Sequence, residues 1–284
     1  AHWGEAAAIA DIIPPAWISV LNGIQAADIP NIRALGAVPV LNTPEQVTMW
    51  YASGGGRCHI MFDSGINRLG IGPEQMSQCD LGSMDIDLLL SHLASADEDS
   101  AQNDAQQRLF HEHAAVSGAK RLSLANSAGI MLGADYHYDL TRPGLSLYGG
   151  IARSGMEAFI KPVARLSARL LQVRSLPAGA PIGYNATHIC GNDTTVGTIS
   201  MGYADGYLRA FSSKGTAHHG AAALPVLGRV SMDLVTIDIS AAPELREGDW
   251  VEVEYDLPTA SALTGLSQYE LLTNLGTRFE RIWR

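Results

Sequence analysis

Hydrophobic residues follow two different patterns along the chain. In the first half, short apolar runs end in polar or glycine turns, and the segments between them have apolar residues at helical spacing. Residues 44–54 and 103–118 predict such helices, with Pro44 in a first turn and Gly118 as a C-terminal stop. Strands that alternate with helices predict parallel βα units. The six predicted strands are residues 17–23, 36–43, 57–65, 86–97, 120–127 and 139–150.

From about Lys161 onward the pattern becomes β-like. Glycine turns separate runs such as "VARLSARLLQVRSL" and "DWVEVEY", as in an antiparallel sheet or a small barrel. One final helix is predicted over "SQYELLTNLG", where Ser267 and Glu270 have the spacing of a capping box. We therefore expect a partial (β/α) barrel over residues 1–155, followed by a C-terminal antiparallel β domain over residues 156–284.

Several predicted strands of the first half end in a polar turn, at residues such as Asp63, His92 and Arg142. In a (β/α) barrel of the TIM type, active-site residues lie on the loops that follow the carboxyl ends of the strands. Arg68, in the stretch "MFDSGINRLG", follows such an end and indicates a site there. Six strands rather than eight predict an incomplete (β/α)8 barrel, so the expected fold class is α/β plus all-β.

Composition narrows the classes of function. The net charge is -10 and the 19 basic residues form no run, which argues against a nucleic-acid partner. No apolar run approaches the roughly 20 residues that span a bilayer, and no signal peptide is recognised, so we expect a soluble cytoplasmic protein. The three cysteines are scattered, which predicts reduced thiols and no zinc site. His111 and His113 lie two apart on a predicted helix and face different ways, so no metal is expected.

The stretch "FDSGINRLG" resembles the D-T-G-M-x-R-L-G motif of bacterial alanine racemases. The motifs "SHLASADE", "LANSAG", "RPGLSLYGG", "PIGYNATH", "GYADGYLR" and "GRVSMDL" follow in that family's order, and the similarity runs from about Trp3 to the C-terminus. The resemblance implies pyridoxal 5'-phosphate (PLP) as cofactor, a (β/α)8 barrel joined to a C-terminal β domain, and a homodimer with shared active sites. It also implies two-base interconversion of L- and D-alanine, which supplies D-alanine for cell-wall peptidoglycan.

The resemblance also implies roles for residues around the cofactor. Arg142 would face the pyridine nitrogen and keep it unprotonated, because an arginine does not readily release a proton. Ser127 and the backbone amides of Gly144 and Leu145 would bind the phosphate, since hydroxyl and main-chain donors at turns suit anions.

Two further residues would complete the cofactor contacts. His92 would stack beside the ring, although an isolated histidine at the end of an apolar strand is more often structural. Arg68 would reach the phenolic oxygen of the cofactor and the carboxylate of the substrate. Asp63 is expected to order its turn rather than to take part in the chemistry.

The resemblance places the remaining site residues in the second half. Tyr184 would be the base for the L-enantiomer, acting from the partner subunit, which requires positive charge nearby to lower its pKa from about 10. Tyr203 and Met232 would narrow the pocket or contact the substrate carboxylate, with Asp233 in support. The simpler interpretation is that these segments are hairpin turns, because Ala-Asp-Gly is favourable turn sequence.

One family feature is missing. The family's cofactor lysine belongs to a K-A-x-A-Y-G-type motif after the first barrel strand, and none of Lys120, Lys161 and Lys214 lies in such a motif. The first two strands and the second base are missing with it, so we expect the sequence to be an incomplete representation of a longer protein. Two alternatives stay open: a catalytically inactive PLP-binding or regulatory homologue, and a PLP-dependent decarboxylase. An arginine rather than an acid at the pyridine nitrogen disfavours the decarboxylase.

Overall fold

The computed structural model describes residues 1–283, and the chain folds into two units. The first, here called the barrel unit, comprises Ala1–Gly144 and Ala152–Met156. The second, here called the β unit, comprises Leu145–Ile151 and the residues from Glu157 onward. The domain boundary expected at residue 155 stays a prediction.

The barrel unit contains one parallel sheet whose strands follow one another in chain order. The strands are β1 (Ser19–Val20), β2 (Val38–Leu41), β3 (Cys58–Met61), β4 (Ile86–Leu90) and β5 (Arg121–Ser123). The helices are α1 (Trp3–Ile9), α2 (Ile29–Leu35), α3 (Pro44–Ala52), α4 (Pro73–Met76) and α5 (Ala101–Ala114). A helix lies between each pair of consecutive strands, which confirms the parallel βα units expected from the sequence.

Strands β2, β3 and β4 are buried on both faces, which explains their nearly continuous apolar sequence. Successive side chains point to opposite faces of a strand, so the sheet contributes to two separate apolar clusters. One cluster consists of Val40, Met61, Leu88 and Leu90. The other includes Ile60 and Leu89 of the strands together with Trp50 of α3 and Phe110 of α5. The helices are therefore held on the sheet by large buried side chains.

Both helices predicted in the first half are confirmed, with one difference. Helix α3 begins at Pro44, and the Thr43 side chain caps it by accepting a hydrogen bond from the Gln46 amide at 3.2 Å. Helix α5 covers most of the predicted segment but ends at Ala114, so Gly118 is not its stop.

The prediction of a sixth strand at residues 139–150 is wrong. Within it Arg142 forms a single β-bridge with Asn126, and Leu145–Tyr148 is a 3-10 turn. Pro143 follows the bridge directly and has no backbone N–H with which to continue a ladder. The Arg142 amide still donates to the Ala125 carbonyl at 2.8 Å, so the segment runs beside the end of β5 without becoming a strand.

The strands of the β unit are β6 (Leu166–Leu176), β7 (Pro181–Ile182), β8 (His188–Ile189), β9 (Thr194–Ser200), β10 (Thr216–His219), β11 (Ala222–Pro225), β12 (Leu234–Asp238) and β13 (Trp250–Val253). Six of them form an antiparallel sheet, as the sequence pattern predicted, in the order β11-β10-β13-β6-β9-β12, and β7 pairs with β8 in a separate hairpin. Tyr207 and Phe211 stack in the core of the β unit with ring centroids 4.2 Å apart.

Two helices follow the sheet, α6 (Leu257–Thr264) and α7 (Gln268–Thr273). The capping box predicted for α7 is confirmed, since Ser267 and Glu270 each accept a hydrogen bond from the other's backbone N–H. Helix α6 was not predicted, although Asp256 caps it by accepting from the Thr259 amide at 3.2 Å. Within residues 1–283, no helix is long and apolar enough to cross a membrane.

Candidate functional site

Asp63 organises the turn that follows β3. One of its carboxylate oxygens accepts hydrogen bonds from the amides of Gly65 and Asn67, at 2.9 and 3.1 Å, and the other accepts from the Arg68 amide at 3.1 Å. Its expected role in ordering the turn is thereby confirmed. Gly70 closes the turn at a φ of +133°, where an added Cβ would lie 2.9 Å from the Asp63 nitrogen. The turn leaves Arg68 exposed beyond the end of β3.

Arg142 reaches the same, C-terminal edge of the sheet from the segment beside β5. Its guanidinium donates to the Ser123 hydroxyl at 2.5 Å, to the Ser91 carbonyl, and through a longer contact of 3.4 Å to the Leu124 carbonyl. Ser91 and Ser123 are fully buried at the ends of β4 and β5. These acceptors are all neutral, so within residues 1–283 the Arg142 charge is held without a carboxylate partner.

Burial, together with positive charge, lowers the pKa values of two side chains at this edge. Burial lowers the pKa of the Arg142 guanidinium to about 10, which leaves it protonated at neutral pH. Burial, and then the charges of Arg142 and Arg68, lower the pKa of the His92 imidazole to about 4. His92 is therefore neutral at neutral pH. The fold thus brings together three residues that the sequence resemblance implicated separately.

Ser127 supplies a hydroxyl at the same edge. It is buried after the end of β5, and its oxygen accepts a hydrogen bond from the Gly144 amide at 2.9 Å. Leu145 belongs to the β unit, where its amide donates to the Tyr269 hydroxyl at 3.2 Å. A hydroxyl next to main-chain donors is the chemistry that binds phosphate in proteins, so Ser127 and Gly144 suit the phosphate end of PLP.

Gln106 of α5 was not predicted as part of the site. Its side-chain oxygen accepts from the Ala94 amide at 2.8 Å, and its nitrogen donates to the His92 carbonyl at 3.0 Å and the Ser64 hydroxyl at 3.3 Å. The Ser64 and Ser91 hydroxyls are 2.7 Å apart. Gln106 therefore ties the ends of β3 and β4 to α5. The signal available in the sequence was a glutamine on the buried face of an amphipathic helix.

The opposite, N-terminal edge of the sheet carries a charge-paired cluster. The Asp87 side chain is 12% exposed and accepts from the guanidinium groups of Arg57 and Arg121 at 2.6 and 2.8 Å. The His59 imidazole lies 3.3 Å from the Asp87 carboxylate and 3.3 Å from the Ser19 hydroxyl. Hydrogen bonds from Arg121 and then Arg57 hold the pKa of the Asp87 carboxyl well below its usual range, while burial lowers the pKa of His59.

The lysines lie away from Arg142 and His92, either at the opposite edge of the sheet or in the other unit. Lys120 is the lysine of the barrel unit and pairs with Asp85 at 2.6 Å, at the N-terminal edge of the sheet. Lys161 and Lys214 belong to the β unit. The described side chains of the barrel unit therefore suit the ring and phosphate ends of PLP, and they place no lysine beside Arg142.

Tyr184 is presented on a strained turn of the β unit. Its side chain is 66% exposed, and the backbone around it has positive φ angles at Gly183 (+70°), Asn185 (+60°) and Ala186 (+49°). Positive φ is uncommon for residues other than glycine, although asparagine tolerates it. Strain of this kind persists where the surrounding structure fixes the backbone, and it often accompanies function.

Tyr203, Met232 and Asp233 lie together within the β unit. The Tyr203 amide, in a 3-10 turn, donates to the Ser231 carbonyl at 3.0 Å. The Met232 side chain is 54% exposed. Asp233 pairs with Arg278, whose part here was not predicted. The fold thus places the three predicted residues on two touching loops.

Family models match both halves of the chain. Residues 1–152 match the family described as alanine racemase, N-terminal domain, and residues 163–283 match alanine racemase, C-terminal domain. A catabolic alanine racemase of Agrobacterium fabrum is 38% identical over an alignment of 298 positions, which covers 99% of this chain and 77% of that protein. An alanine racemase of Cereibacter sphaeroides is 39% identical over 269 aligned residues, covering 93% of this chain and 76% of that protein.

Solved structures agree with these relatives. The alanine racemase of Bartonella henselae, with covalently bound pyridoxal phosphate, superposes with a TM-score of 0.91 at 31% identity, covering 99% of this chain and 83% of that one. The biosynthetic alanine racemase of Pseudomonas aeruginosa gives a TM-score of 0.87 at 30% identity, with the same two coverages. The barrel unit and the β unit are therefore those of a known two-domain fold.

Proposed function

This chain belongs to the alanine racemase family, and we propose that it interconverts L- and D-alanine with PLP as cofactor. The observation that carries the proposal is the Arg142 charge, held by Ser91 and Ser123 at the C-terminal edge of a parallel sheet. Edges of this kind bind ligands in (β/α) barrels. When bound, PLP supplies an electron-withdrawing ring that makes the Cα proton of an amino acid more acidic.

The residues of the C-terminal edge have separate tasks in this proposal. Arg142 would hold the ring nitrogen with its guanidinium, and because an arginine does not readily release a proton, it would leave that nitrogen unprotonated. His92 packs beside the ring as a neutral imidazole. Ser127 and the amides of Gly144 and Leu145 bind the phosphate. Arg68, which is exposed after β3, orients the substrate carboxylate.

Tyr184 moves a proton at Cα in this proposal. We place it in the active site of the other subunit of a homodimer, with Tyr203, Met232 and Asp233 completing the pocket. The exposure of large side chains in the β unit supports an interface there. Those side chains are Tyr184, Ile189, Met232, Leu234 and Trp250.

The product of the reaction indicates the cellular compartment and the class of enzyme that would use it. D-Alanine is a building block of bacterial peptidoglycan, whose precursors are assembled inside the cell. We therefore propose that the enzyme acts in the cytoplasm and feeds a ligase that joins D-amino acids.

The test is racemisation by the purified protein, expressed with every residue that its gene encodes and supplied with PLP. L-Alanine is added and D-alanine is measured by chiral chromatography, while deuterium from the solvent is followed at Cα. Tyr184→Phe is expected to slow the reaction by about 100-fold to 10,000-fold, the usual contribution of a general acid or base. Tyr51→Phe, which changes an exposed tyrosine of the barrel unit, is the control and should keep the full rate. Absence of D-alanine with that wild-type protein would contradict the proposed function.

A further inference from the structure

Arg278 joins two loops of the β unit. Its Nε donates to the Asp205 carboxylate at 2.8 Å, and its Nη1 donates to the Asp233 carboxylate at 2.7 Å. Asp205 belongs to the 202–206 loop and Asp233 to the 231–233 loop. One planar guanidinium thus spans carboxylates on two different loops, a task that suits the rigid fork of arginine better than a flexible lysine ammonium.

The two loops also touch through their backbones. The amides of Tyr203 and Ala204 donate to the carbonyls of Ser231 and Met232, both at 3.0 Å. An added Cβ at Gly202 would lie only 2.3 Å from the Met232 oxygen. The loops are therefore packed so closely that a shift in one moves the other.

The contact between the two loops depends on Arg278 because of the environment of Asp205. Its side chain is 11% exposed, and its second oxygen accepts from the Gly202 amide at 2.9 Å. The Gly276 amide, two residues before Arg278, donates to the Asp205 carbonyl at 3.0 Å. Loss of Arg278 would leave a nearly buried carboxylate with its ion-pair partner removed, and such a group recruits water or moves. Asp233, which is 53% exposed, would be free to turn away.

We propose that Arg278 is a positioning residue for the amino-acid pocket. By holding the 202–206 and 231–233 loops together, it sets the place at which Tyr203 and Met232 meet the substrate, and it acts through Asp205 and Asp233. This inference rests on the proposed function, in which Tyr203 and Met232 contact the substrate. If Arg278 holds the loops in place, it also limits the size of the substrate. Loosened loops would therefore accept serine more readily, relative to alanine, than the wild-type loops do.

The first test measures the loops without any substrate. Hydrogen–deuterium exchange is compared for the wild-type chain, Arg278→Gln and Arg281→Gln. Arg281 is a matched control, because it is also exposed and its Nη2 donates to the Gly276 carbonyl, at 3.2 Å, rather than to an aspartate. Exchange at the Tyr203 and Ala204 amides should be faster by about tenfold in Arg278→Gln and unchanged in Arg281→Gln. Unchanged exchange in Arg278→Gln would overturn the proposal.

The second test separates KM from kcat. Arg278→Gln should raise the KM for alanine by about tenfold and lower kcat by less than about threefold, because the loops position substrate and do not transfer the proton. The ratio of kcat/KM for serine to that for alanine should rise. Arg278→Lys keeps the charge and should restore part of both the exchange protection and the KM.

Each remaining outcome has a distinct meaning. Faster loop exchange with wild-type KM, kcat and serine selectivity would overturn the positioning role and leave the proposed function intact. A wild-type protein, expressed with every residue that its gene encodes, that makes no D-alanine would contradict the proposed function instead. In that case the exchange comparison still decides whether Arg278 holds the two loops together.

Discussion

At the N-terminal edge of the barrel sheet, Arg57 and Arg121 share the Asp87 carboxylate, whereas at the C-terminal edge Arg142 is bound by neutral oxygens. At the first edge both arginines are paired with a carboxylate. At the second edge a positive charge is fixed in place among loops, next to a histidine whose pKa is lowered by burial and then by this charge. In (β/α) barrels the N-terminal face contributes stability and the C-terminal face carries the chemistry. Charge compensation distinguishes the two faces here.

The largest effect is expected from Arg142→Met. Removing the charge should weaken PLP binding by about a hundredfold, the equivalent of one lost charge-assisted hydrogen bond. The free energy of unfolding should change by less than about 1 kcal/mol, because lost hydrogen bonds are offset by the relieved cost of enclosing an unpaired charge. Equilibrium dialysis and urea unfolding measure the two quantities. Unchanged PLP affinity would contradict the claim that the C-terminal edge binds the cofactor through Arg142.

Asp87→Ala should have the opposite effect: a lower free energy of unfolding and no change in PLP affinity. It leaves the cations of Arg57 and Arg121 without their shared carboxylate, and the expected loss of unfolding free energy is about 2 kcal/mol. This value is reduced for the solvent exposure of the two arginines, which are 41% and 43% exposed. PLP affinity should be unchanged. Asp85→Ala, which breaks the exposed pair with Lys120, is the control and should cost less than about 0.5 kcal/mol.

A smaller effect is expected in the pH dependence of stability. The pKa of His92 is lowered to about 4 in the folded chain, so the unfolded chain binds more protons below the ordinary histidine pKa of about 6.5. The contribution of His92 is therefore fully present above about pH 6.5 and is lost as the pH falls towards about 4. We expect a loss of about 1 kcal/mol, allowing for partial exposure, and a flatter profile for His92→Gln.

The N-terminal edge should respond to acid differently. Because the pKa of Asp87 is lowered, its contribution is present above the ordinary aspartate pKa of about 3.9 and is lost only at more acidic pH. His59 also has a lowered pKa, so His59→Gln is measured beside His92→Gln. If His59→Gln flattened the profile between about pH 6.5 and 4 more than His92→Gln, acid sensitivity would lie mainly at the N-terminal edge, contrary to our expectation.

Local signals made much of the fold predictable. Pro44 marked the first turn of α3, and Ser267 with Glu270 marked α7. The sixth strand was predicted wrongly because its apolar residues outweighed Pro143, which ends the pairing beside β5. Helix α6 was missed, although Asp256 caps its start.

Contacts between distant residues set the limit of prediction at the site. Arg142 is held by Ser91, 51 positions earlier in the chain, and Asp87 by Arg57 and Arg121, 30 and 34 positions away. Nothing in local sequence relates such pairs. The sequence pattern could place Arg142 after a strand, but it could not tell that its acceptors are neutral, and the neutral acceptors distinguish the two edges.

The most direct test of this account is an experimental structure of the chain with PLP added. We expect the phosphate to contact Ser127 and the ring to lie between His92 and Arg142, at the C-terminal edge of the barrel sheet. PLP bound instead at the N-terminal edge, beside Arg57 and Arg121, would contradict the assignment of chemistry to the uncompensated charge.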